Sequence, residues 1–272
     1  MAISKVFAPA KVNLTLHVTG QRSDGYHLLD SLVMFADVGD RLELRLSGTS
    51  SLTVSGPKAN GVPAGAQNLV LRAAGLMAVD AEIALEKHLP AAAGIGGGSS
   101  DAAAVLSAIR DLTGRSIPDQ GLSLGADIPV CLIGQAAVMR GIGEDVKVLD
   151  NMPHLPAVLV NPGVAVPTAA VFQGLARKDN PPMDPLPPQL SFEPLIDWLA
   201  QQRNDLQAPA IAAQPVIGDV LRAIVATEGC RLARMSGSGA TCFGLYETAE
   251  AATNAATVLR HPDWWVEECS LS

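Results

Sequence analysis

A glycine-rich loop followed by an alanine-rich segment constrains this chain more than any other feature. From Pro90 to Asp101 the sequence reads PAAAGIGGGSSD, and the apolar residues that follow recur at helical spacing. Such a loop at a helix start leaves backbone N–H groups facing an anion, and the helix dipole adds to the attraction. The segment therefore predicts a phosphate-binding site for a nucleotide.

The loop differs from the two commonest nucleotide-binding loops. No Gly-Lys-Ser or Gly-Lys-Thr follows its glycines, which excludes a Walker A loop. Counted from Gly94, Ser99 stands where the dinucleotide fingerprint has its third glycine. The structural alternative is a plain glycine turn in which Ser99 or Ser100 caps the helix. A turn requires one or two glycines, so four glycines with paired serines favour the phosphate site.

The composition excludes several other classes of protein. A net charge of −8 argues against broad binding to nucleic acid or acidic membranes, but it permits a small anionic ligand at a local positive site. The four cysteines have no C-x-x-C spacing, and scattered cysteines are typical of a reducing compartment. Apolar stretches fall short of a membrane span. We expect a soluble cytoplasmic protein without nucleic-acid, membrane or obligate protein partners.

Strand and helix patterns mix along the chain without regular alternation, which favours an α+β fold over a doubly wound sheet. Alternating apolar residues predict a strand through residues 12–18, and Asn68 is positioned to cap a helix. A change of composition near residues 150–156 predicts a domain at 1–152 and another at 153–272. The proline-rich residues 178–194 predict either an ordered surface loop or a mobile flap.

The loop resembles the phosphate-binding motif of the superfamily of galacto-, homoserine, mevalonate and phosphomevalonate kinases. Three more segments resemble motifs of the same superfamily: APAKVNL at 8–14, LGADIP at 124–129 and MSGSGAT at 235–241. The resemblance implies a two-domain kinase, with ATP bound by the first domain, substrate on the side of the second, and the active cleft between them. It also implies ATP as phosphoryl donor with Mg²⁺, for which the sequence indicates no protein ligand.

The resemblance assigns the ATP-binding role to the whole glycine loop. The residues so assigned are Pro90, Ala91, Ala92, Ala93, Gly94, Ile95, Gly96, Gly97, Gly98, Ser99 and Ser100. Ile95 stands where the family usually has leucine, which is a volume-conserving exchange.

Lys11 and Asp127 are the predicted catalytic pair. The resemblance implies that Asp127 accepts the proton of the acceptor hydroxyl and that Lys11 orients this hydroxyl. On residue type alone, Asp127 equally suits a helix cap or turn, and Lys11 suits an exposed strand position. Asn13 lies two residues further along the strand and shares the face of Lys11. It is predicted to bind substrate, with an outward polar residue as the alternative.

Two segments narrow the resemblance to one member, which phosphorylates an alcohol linked to cytidine diphosphate in the non-mevalonate isoprenoid pathway. They are DGYH, containing Tyr26 and His27, and PTAAVF, containing Thr168 and Phe172. The resemblance implies that Tyr26 and Phe172 clamp the cytosine base, that His27 reads its edge, and that Thr168 supplies a polar contact. The alternatives are a surface turn for Tyr26 and His27 and a core position for Phe172.

Two rival functions remain at this point. One is another kinase of the superfamily, acting on mevalonate, homoserine or a sugar, against which the Tyr26-His27 and Phe172 segments argue. The other is a non-catalytic nucleotide sensor, against which the joint presence of Lys11 and Asp127 argues, because a sensor has no use for a base beside an acceptor hydroxyl.

Overall fold

The computed structural model describes residues 3–272, and within that range the chain forms eleven strands and eight helices. The strands are β1 (Ile3–Asn13), β2 (His17–Gln21), β3 (His27–Leu46), β4 (Ser51–Ser55), β5 (Ala81–Glu86), β6 (Ala137–Gly141), β7 (Asp145–Val148), β8 (Leu155–Asn161), β9 (Leu232–Met235), β10 (Cys242–Leu245) and β11 (Trp265–Leu271). The helices are α1 (Leu69–Leu76), α2 (Gly97–Thr113), α3 (Ile128–Ile133), α4 (Thr168–Gln173), α5 (Phe192–Gln201), α6 (Gln207–Ala213), α7 (Val216–Val225) and α8 (Ala249–Val258). The predicted α+β class is confirmed.

The chain divides into two compact units that are discontinuous in sequence. The first unit consists of the chain up to Lys11, Val38–Ala91 and Gly96–Gly134. The second consists of Val12–Asp37, Ala92–Ile95 and Gln135–Ser272. The domain boundary expected between residues 152 and 153 stays a prediction.

The sheet of the first unit is built on the second half of β3. There β3 pairs antiparallel with β5, and β5 pairs parallel with β4. Alternate residues of β3 and β5 point into the core, where Leu42, Leu44, Ile83 and Leu85 are buried. Helix α2 packs against both α1 and α3 in the same unit. The alternation of apolar residues thus fixes which face of this sheet is buried.

Helix α2 begins directly on the glycine loop. Its first residue is Gly97, two positions before the earlier of the two predicted serine caps. The N-cap residue is Gly96, and no side chain of the described chain makes a capping hydrogen bond there. The helix ends at Thr113, and Gly114 caps it in the left-handed conformation that glycine favours. The first N–H groups of α2 are therefore left without a partner inside the helix.

The second unit has two groups of strands and an apolar cluster under its helices. Strands β2 and β6 pair antiparallel with the first part of β3, and β7 pairs with β6. A further antiparallel series runs β11, β8, β10, β9. Residues of β8 and β10 and of helices α7 and α8 form the buried apolar cluster, which includes Val158, Val160, Ile217, Ile224 and Tyr246.

One expectation about local structure is wrong, and for another the structure favours one of the two alternatives. The alternation over residues 12–18 does not form one strand, because β1 ends at Asn13 and β2 begins at His17. Between them the backbone changes partners, and Leu16 N–H donates to the carbonyl of Arg203. The proline-rich segment is an ordered loop, in which the N–H of Asn180 donates to Val18 and Met183 is buried.

No helix in the described range 3–272 is both long enough and apolar enough to cross a membrane.

Candidate active site

Lys11 and Asp127 form an ion pair in the first unit. The ammonium Nζ of Lys11 lies 2.8 Å from Oδ1 of Asp127. The Lys11 side chain is only 4% exposed, whereas that of Asp127 is 34% exposed. Asp127 precedes α3, yet in the described structure its side chain makes no capping hydrogen bond to that helix. The carboxylate is thus held by a buried cation and keeps an open side toward solvent.

The backbone of the glycine loop passes close to Lys11. Gly96 has a φ of +65°, and a Cβ built on it would lie 3.1 Å from Cβ of Lys11. A side chain at this position would strain the backbone and crowd the lysine stem. Ser100 Oγ, in the first turns of α2, donates to the carbonyl of Pro9 at 2.7 Å. The start of α2 is therefore tied to the strand that carries Lys11.

A second close approach joins the loop to the turn after β9, within the second unit. Gly94 has a φ of +73°, and a Cβ there would lie 2.5 Å from the carbonyl oxygen of Ser236. Ser236 Oγ donates to the carbonyl of Gly94 at 2.9 Å, and the N–H of Thr241 donates to that of Ala93 at 3.1 Å. Strands β9 and β10 do form a hairpin, so the 236–239 turn both closes that hairpin and holds the loop.

Asn13 offers an unsatisfied acceptor in the second unit. Its Nδ2 donates to Ser31 Oγ at 2.8 Å, and its backbone N–H donates to Ser236 Oγ at 3.0 Å. Its Oδ1 is buried and has no hydrogen-bond partner in the described structure. Leaving a buried amide oxygen unpaired is costly, so this atom is suited to accept from a ligand. Ser31, which fixes the amide, is not recognisable from the sequence pattern.

His27 and Phe172 stack on each other. Their ring centroids are 4.6 Å apart and the planes differ by 22°. Phe172 lies on α4 and also packs against the apolar cluster, as the core alternative expects, and its stacking on a cytosine base stays a prediction. Burial, with a smaller contribution from the cation of Lys178, lowers the pKa of His27. A neutral imidazole presents one donor and one acceptor to a neighbouring group, and Nε2 of His27 is buried without a partner in the described structure.

The remaining predicted substrate residues lie at the surface of the second unit. Tyr26 is 59% exposed, on the turn between β2 and β3. Thr168 is the first residue of α4, and its Oγ1 lies 2.8 Å from Oγ of Ser238. The hydroxyl pair links α4 to the turn that holds the glycine loop.

One buried ionic cluster beside the loop has no counterpart among the predicted site residues. Lys87 contacts both Asp40 and Asp101, and all three side chains are buried. Lys87 lies three residues before Pro90 and Asp101 directly follows Ser100, and this closeness to the loop is their signal in the sequence. In the described range the structure contains no group of three or more His, Cys, Asp or Glu side chains able to hold a metal ion.

Comparisons with known proteins identify the family. The model of the GHMP kinases N terminal domain matches residues 63–138, and that of the GHMP kinases C terminal domain matches residues 189–262. A protein of Dinoroseobacter shibae named 4-diphosphocytidyl-2-C-methyl-D-erythritol kinase is 62% identical over 96% of this chain and 92% of its own length. A protein of the same name from Cereibacter sphaeroides is 53% identical over 99% of this chain and 100% of its own.

Comparison with solved structures indicates the same family. The crystal structure of 4-(cytidine 5'-diphospho)-2C-methyl-D-erythritol kinase superposes with a TM-score of 0.81 at 35% identity, covering 99% of each chain. A homoserine kinase from Cytophaga hutchinsonii shares the fold, with a TM-score of 0.67 at 20% identity over 100% of this chain and 95% of its own. The chain therefore belongs to the GHMP kinases and, within them, to the family of 4-diphosphocytidyl-2-C-methyl-D-erythritol kinases.

Proposed function

We propose that this kinase transfers the γ-phosphoryl group of ATP to the 2-hydroxyl of 4-diphosphocytidyl-2-C-methyl-D-erythritol, in the non-mevalonate pathway to isoprenoid precursors. The observation that carries the proposal is the Lys11–Asp127 pair, whose carboxylate is held by a buried ammonium and is partly open to solvent. Because the pair lies in the same unit as the start of α2, a base and a phosphate-binding helix terminus are supplied together.

Asp127 is the proposed general base, and Lys11 is its partner. As the acceptor oxygen forms its bond to the γ-phosphorus, the bond from that phosphorus to the β,γ-bridging oxygen breaks and ADP leaves. The hydroxyl proton passes to the carboxylate of Asp127. Lys11 holds this carboxylate at 2.8 Å and orients the hydroxyl. Phosphoryl transfer asks little covalent chemistry of the protein, so positioning and charge stabilisation supply most of the rate enhancement.

The glycine loop is the proposed ATP site. All eleven loop residues from Pro90 to Ser100 are retained in this role. The first N–H groups of α2 have no partner inside the helix, and in the described structure no side chain caps them, which leaves them available to phosphate oxygens. Glycine at 94 and 96 permits the left-handed backbone on which this presentation depends.

Phe172 is the proposed stacking surface for the cytosine base, which would take the place of the His27 ring that stacks on Phe172 in the structure. A pyrimidine ring stacks well on aromatic faces, and neutral His27 matches the donors and acceptors of its edge. Tyr26 is proposed to cover the other face of the base. Asn13 Oδ1 is proposed to accept from a donor group of the substrate, and Thr168 to supply a polar contact.

Mg²⁺ is proposed to arrive with the phosphates of ATP. Magnesium usually keeps several waters and binds through one or two carboxylates plus substrate phosphates, so the lack of a three-carboxylate cluster in the described range is compatible with it. Its role would be to neutralise charge on the transferring group. Because both substrates are small, water-soluble phosphate esters, we place the reaction in the cytoplasm.

The test is ADP release on addition of different alcohols, with phosphorus NMR to identify the product. We expect release with 4-diphosphocytidyl-2-C-methyl-D-erythritol and the appearance of a new phosphomonoester. Release with mevalonate, homoserine or galactose instead would assign the chain to another branch of the superfamily. Release with none of them, while ADP still binds, would favour a nucleotide sensor.

A further inference from the structure

Lys87 lies at the centre of a buried ionic cluster in the first unit. It directly follows β5, and its Nζ contacts Oδ2 of Asp40 on β3 and, at 2.8 Å, Oδ2 of Asp101 on α2. The side chains of Lys87 and Asp101 are each 4% exposed, and that of Asp40 is completely buried. One ammonium therefore bridges a strand and a helix away from water.

The cluster also holds the backbone that leads into the glycine loop. Oδ1 of Asp40 accepts the N–H groups of His88, at 2.6 Å, and Leu89, at 2.9 Å. These are the two residues immediately before Pro90. Asp40 thus fixes both the Lys87 ammonium and the main chain at the entrance of the loop.

The exit of the loop is tied to the same ammonium. Asp101 is the fifth residue of α2, one turn beyond the helix start. A Cβ built on Gly97, the first residue of α2, would lie 3.6 Å from Nζ of Lys87. The lysine therefore passes beside the first turn of α2 and contacts the second. The Lys87 ammonium is therefore connected to both ends of the loop, through Asp40 at the entrance and through Asp101 at the exit.

A contribution to folding stability does not by itself explain why this ionic cluster is buried. Burying three charges costs desolvation energy, and buried ion pairs are often replaced by apolar residues without loss of stability. The cluster has two carboxylates for one ammonium, and Oδ1 of Asp101 is buried without a partner in the described structure. Such a cluster does specify geometry, because charged hydrogen bonds with fixed partners tolerate little displacement.

We propose that Lys87, Asp40 and Asp101 are positioning residues that set the spacing between the two ends of the glycine loop and so aim the first N–H groups of α2 at ATP phosphates. None of the three needs to touch the nucleotide. The inference rests on the proposed function of the loop as the ATP site. It adds residues outside the loop motif to the determinants of ATP affinity.

Lys87→Met tests the proposal, because it keeps the length and apolar stem of the side chain and removes the ammonium. We expect the KM for ATP to rise roughly tenfold or more, as misplaced binding groups lose most of their effect. The KM for the cytidine substrate should stay within about twofold, since a general loss of structure would raise both. Lys5→Met is the matched control, because Lys5 forms an exposed ion pair with Glu43, which also lies on β3.

A second pair of variants covers the case in which Lys87→Met does not fold. Asp101→Ala removes the exit contact but leaves the Lys87–Asp40 pair intact, and it should raise the KM for ATP several-fold. Asp101→Asn restores an acceptor for Lys87 and should recover most of the lost affinity. ADP binding measured without any acceptor reports the same effect, even if the acceptor has been misassigned. Folded Lys87→Met and Asp101→Ala proteins that bind ADP with wild-type affinity would overturn the proposal.

Discussion

The first unit contains two lysines that pair with aspartates beside the start of α2, and the two sites differ in the exposure of the carboxylates. Lys11 lies next to Gly96 and pairs with Asp127, which is 34% exposed. Lys87 lies next to Gly97 and pairs with carboxylates that are almost wholly buried. Both lysine side chains are 4% exposed. The two lysines are equally buried, so the two sites differ only in how far their aspartate side chains are exposed to solvent.

The difference in exposure suits the two kinds of carboxylate to different roles, proton transfer for one and positioning of the backbone for the other. A general base has to reach the proton that it removes, so an open carboxylate suits that role and a sealed one does not. A sealed carboxylate with several fixed donors suits the opposite role, because it holds backbone segments in register. We therefore propose two roles for the same residue types within one unit, and each role predicts a different kinetic signature.

The largest effect in this series is expected at the open pair. Lys11→Met should lower kcat by about a hundredfold, because Asp127 loses the cation that holds it and the acceptor hydroxyl loses its orientation. ADP affinity should change much less. Steady-state kinetics with both substrates and ADP titration measure the split. Lys5→Met, on the same strand but exposed, is the control, and equal losses in both variants would contradict the account.

A smaller effect, confined to the acceptor, is expected at the aromatic stack. Phe172→Ala and Phe172→Leu should each raise the KM for the cytidine substrate by about three- to tenfold, because each removes the ring that stacks on His27. The KM for ATP should not follow. Leucine keeps the packing against the apolar cluster, so only the alanine variant should unfold at a clearly lower temperature. A leucine variant with normal substrate affinity would reduce Phe172 to a core residue.

The smallest effect is a pH dependence of stability that belongs to the sealed cluster. Burial raises the pKa of Asp101 to about 7, with Lys87 offsetting part of the rise and Asp40 adding to it. Burial opposes the charge on Lys87 as well, but the two carboxylates outweigh it and raise the pKa of this lysine. Between the ordinary aspartate pKa of about 4 and pH 7, the folded protein keeps a proton that the unfolded chain has lost. The contribution of Asp101 to stability is therefore greatest at low pH and is lost as the pH rises through that window.

Asp101→Asn removes this dependence, since asparagine does not titrate. The unfolding temperature of the variant minus that of the wild type should increase by about 2 °C or more from pH 5 to pH 8. Asp179→Asn is the control, because a hydrogen bond from Arg177 lowers the pKa of the exposed Asp179 and keeps it ionised throughout this range. If the difference in unfolding temperature between Asp101→Asn and the wild type stayed constant with pH, the raised pKa of Asp101 would be contradicted.

Features encoded by neighbouring residues could be predicted from the sequence. The helix after the glycine loop and the cap by Asn68 follow from local backbone preferences, and the structure confirms them. The assignment of fold and family required only such local motifs, because the motifs are dense along the chain.

Features that depend on strand pairing could not be predicted. Residues 32–36 of β3 form a short continuous apolar run, which periodicity alone cannot assign to strand or helix. Asp40 is separated from Lys87 by 47 positions, and only the register of β3 with β5 brings the two together. Nothing at position 40 reveals that partner. The positioning cluster is therefore a product of topology, whereas Lys11 and Asp127 could be found by resemblance to known motifs.

The most direct test of the account compares Asp127→Asn with Lys87→Met in full steady-state kinetics and ADP titrations. We expect Asp127→Asn to lower kcat by at least about a hundredfold while ADP affinity stays within about threefold of wild type. Lys87→Met should show the opposite pattern, a large rise in the KM for ATP with a smaller loss of kcat. Near-normal turnover by Asp127→Asn would contradict the central claim that the open carboxylate is the base.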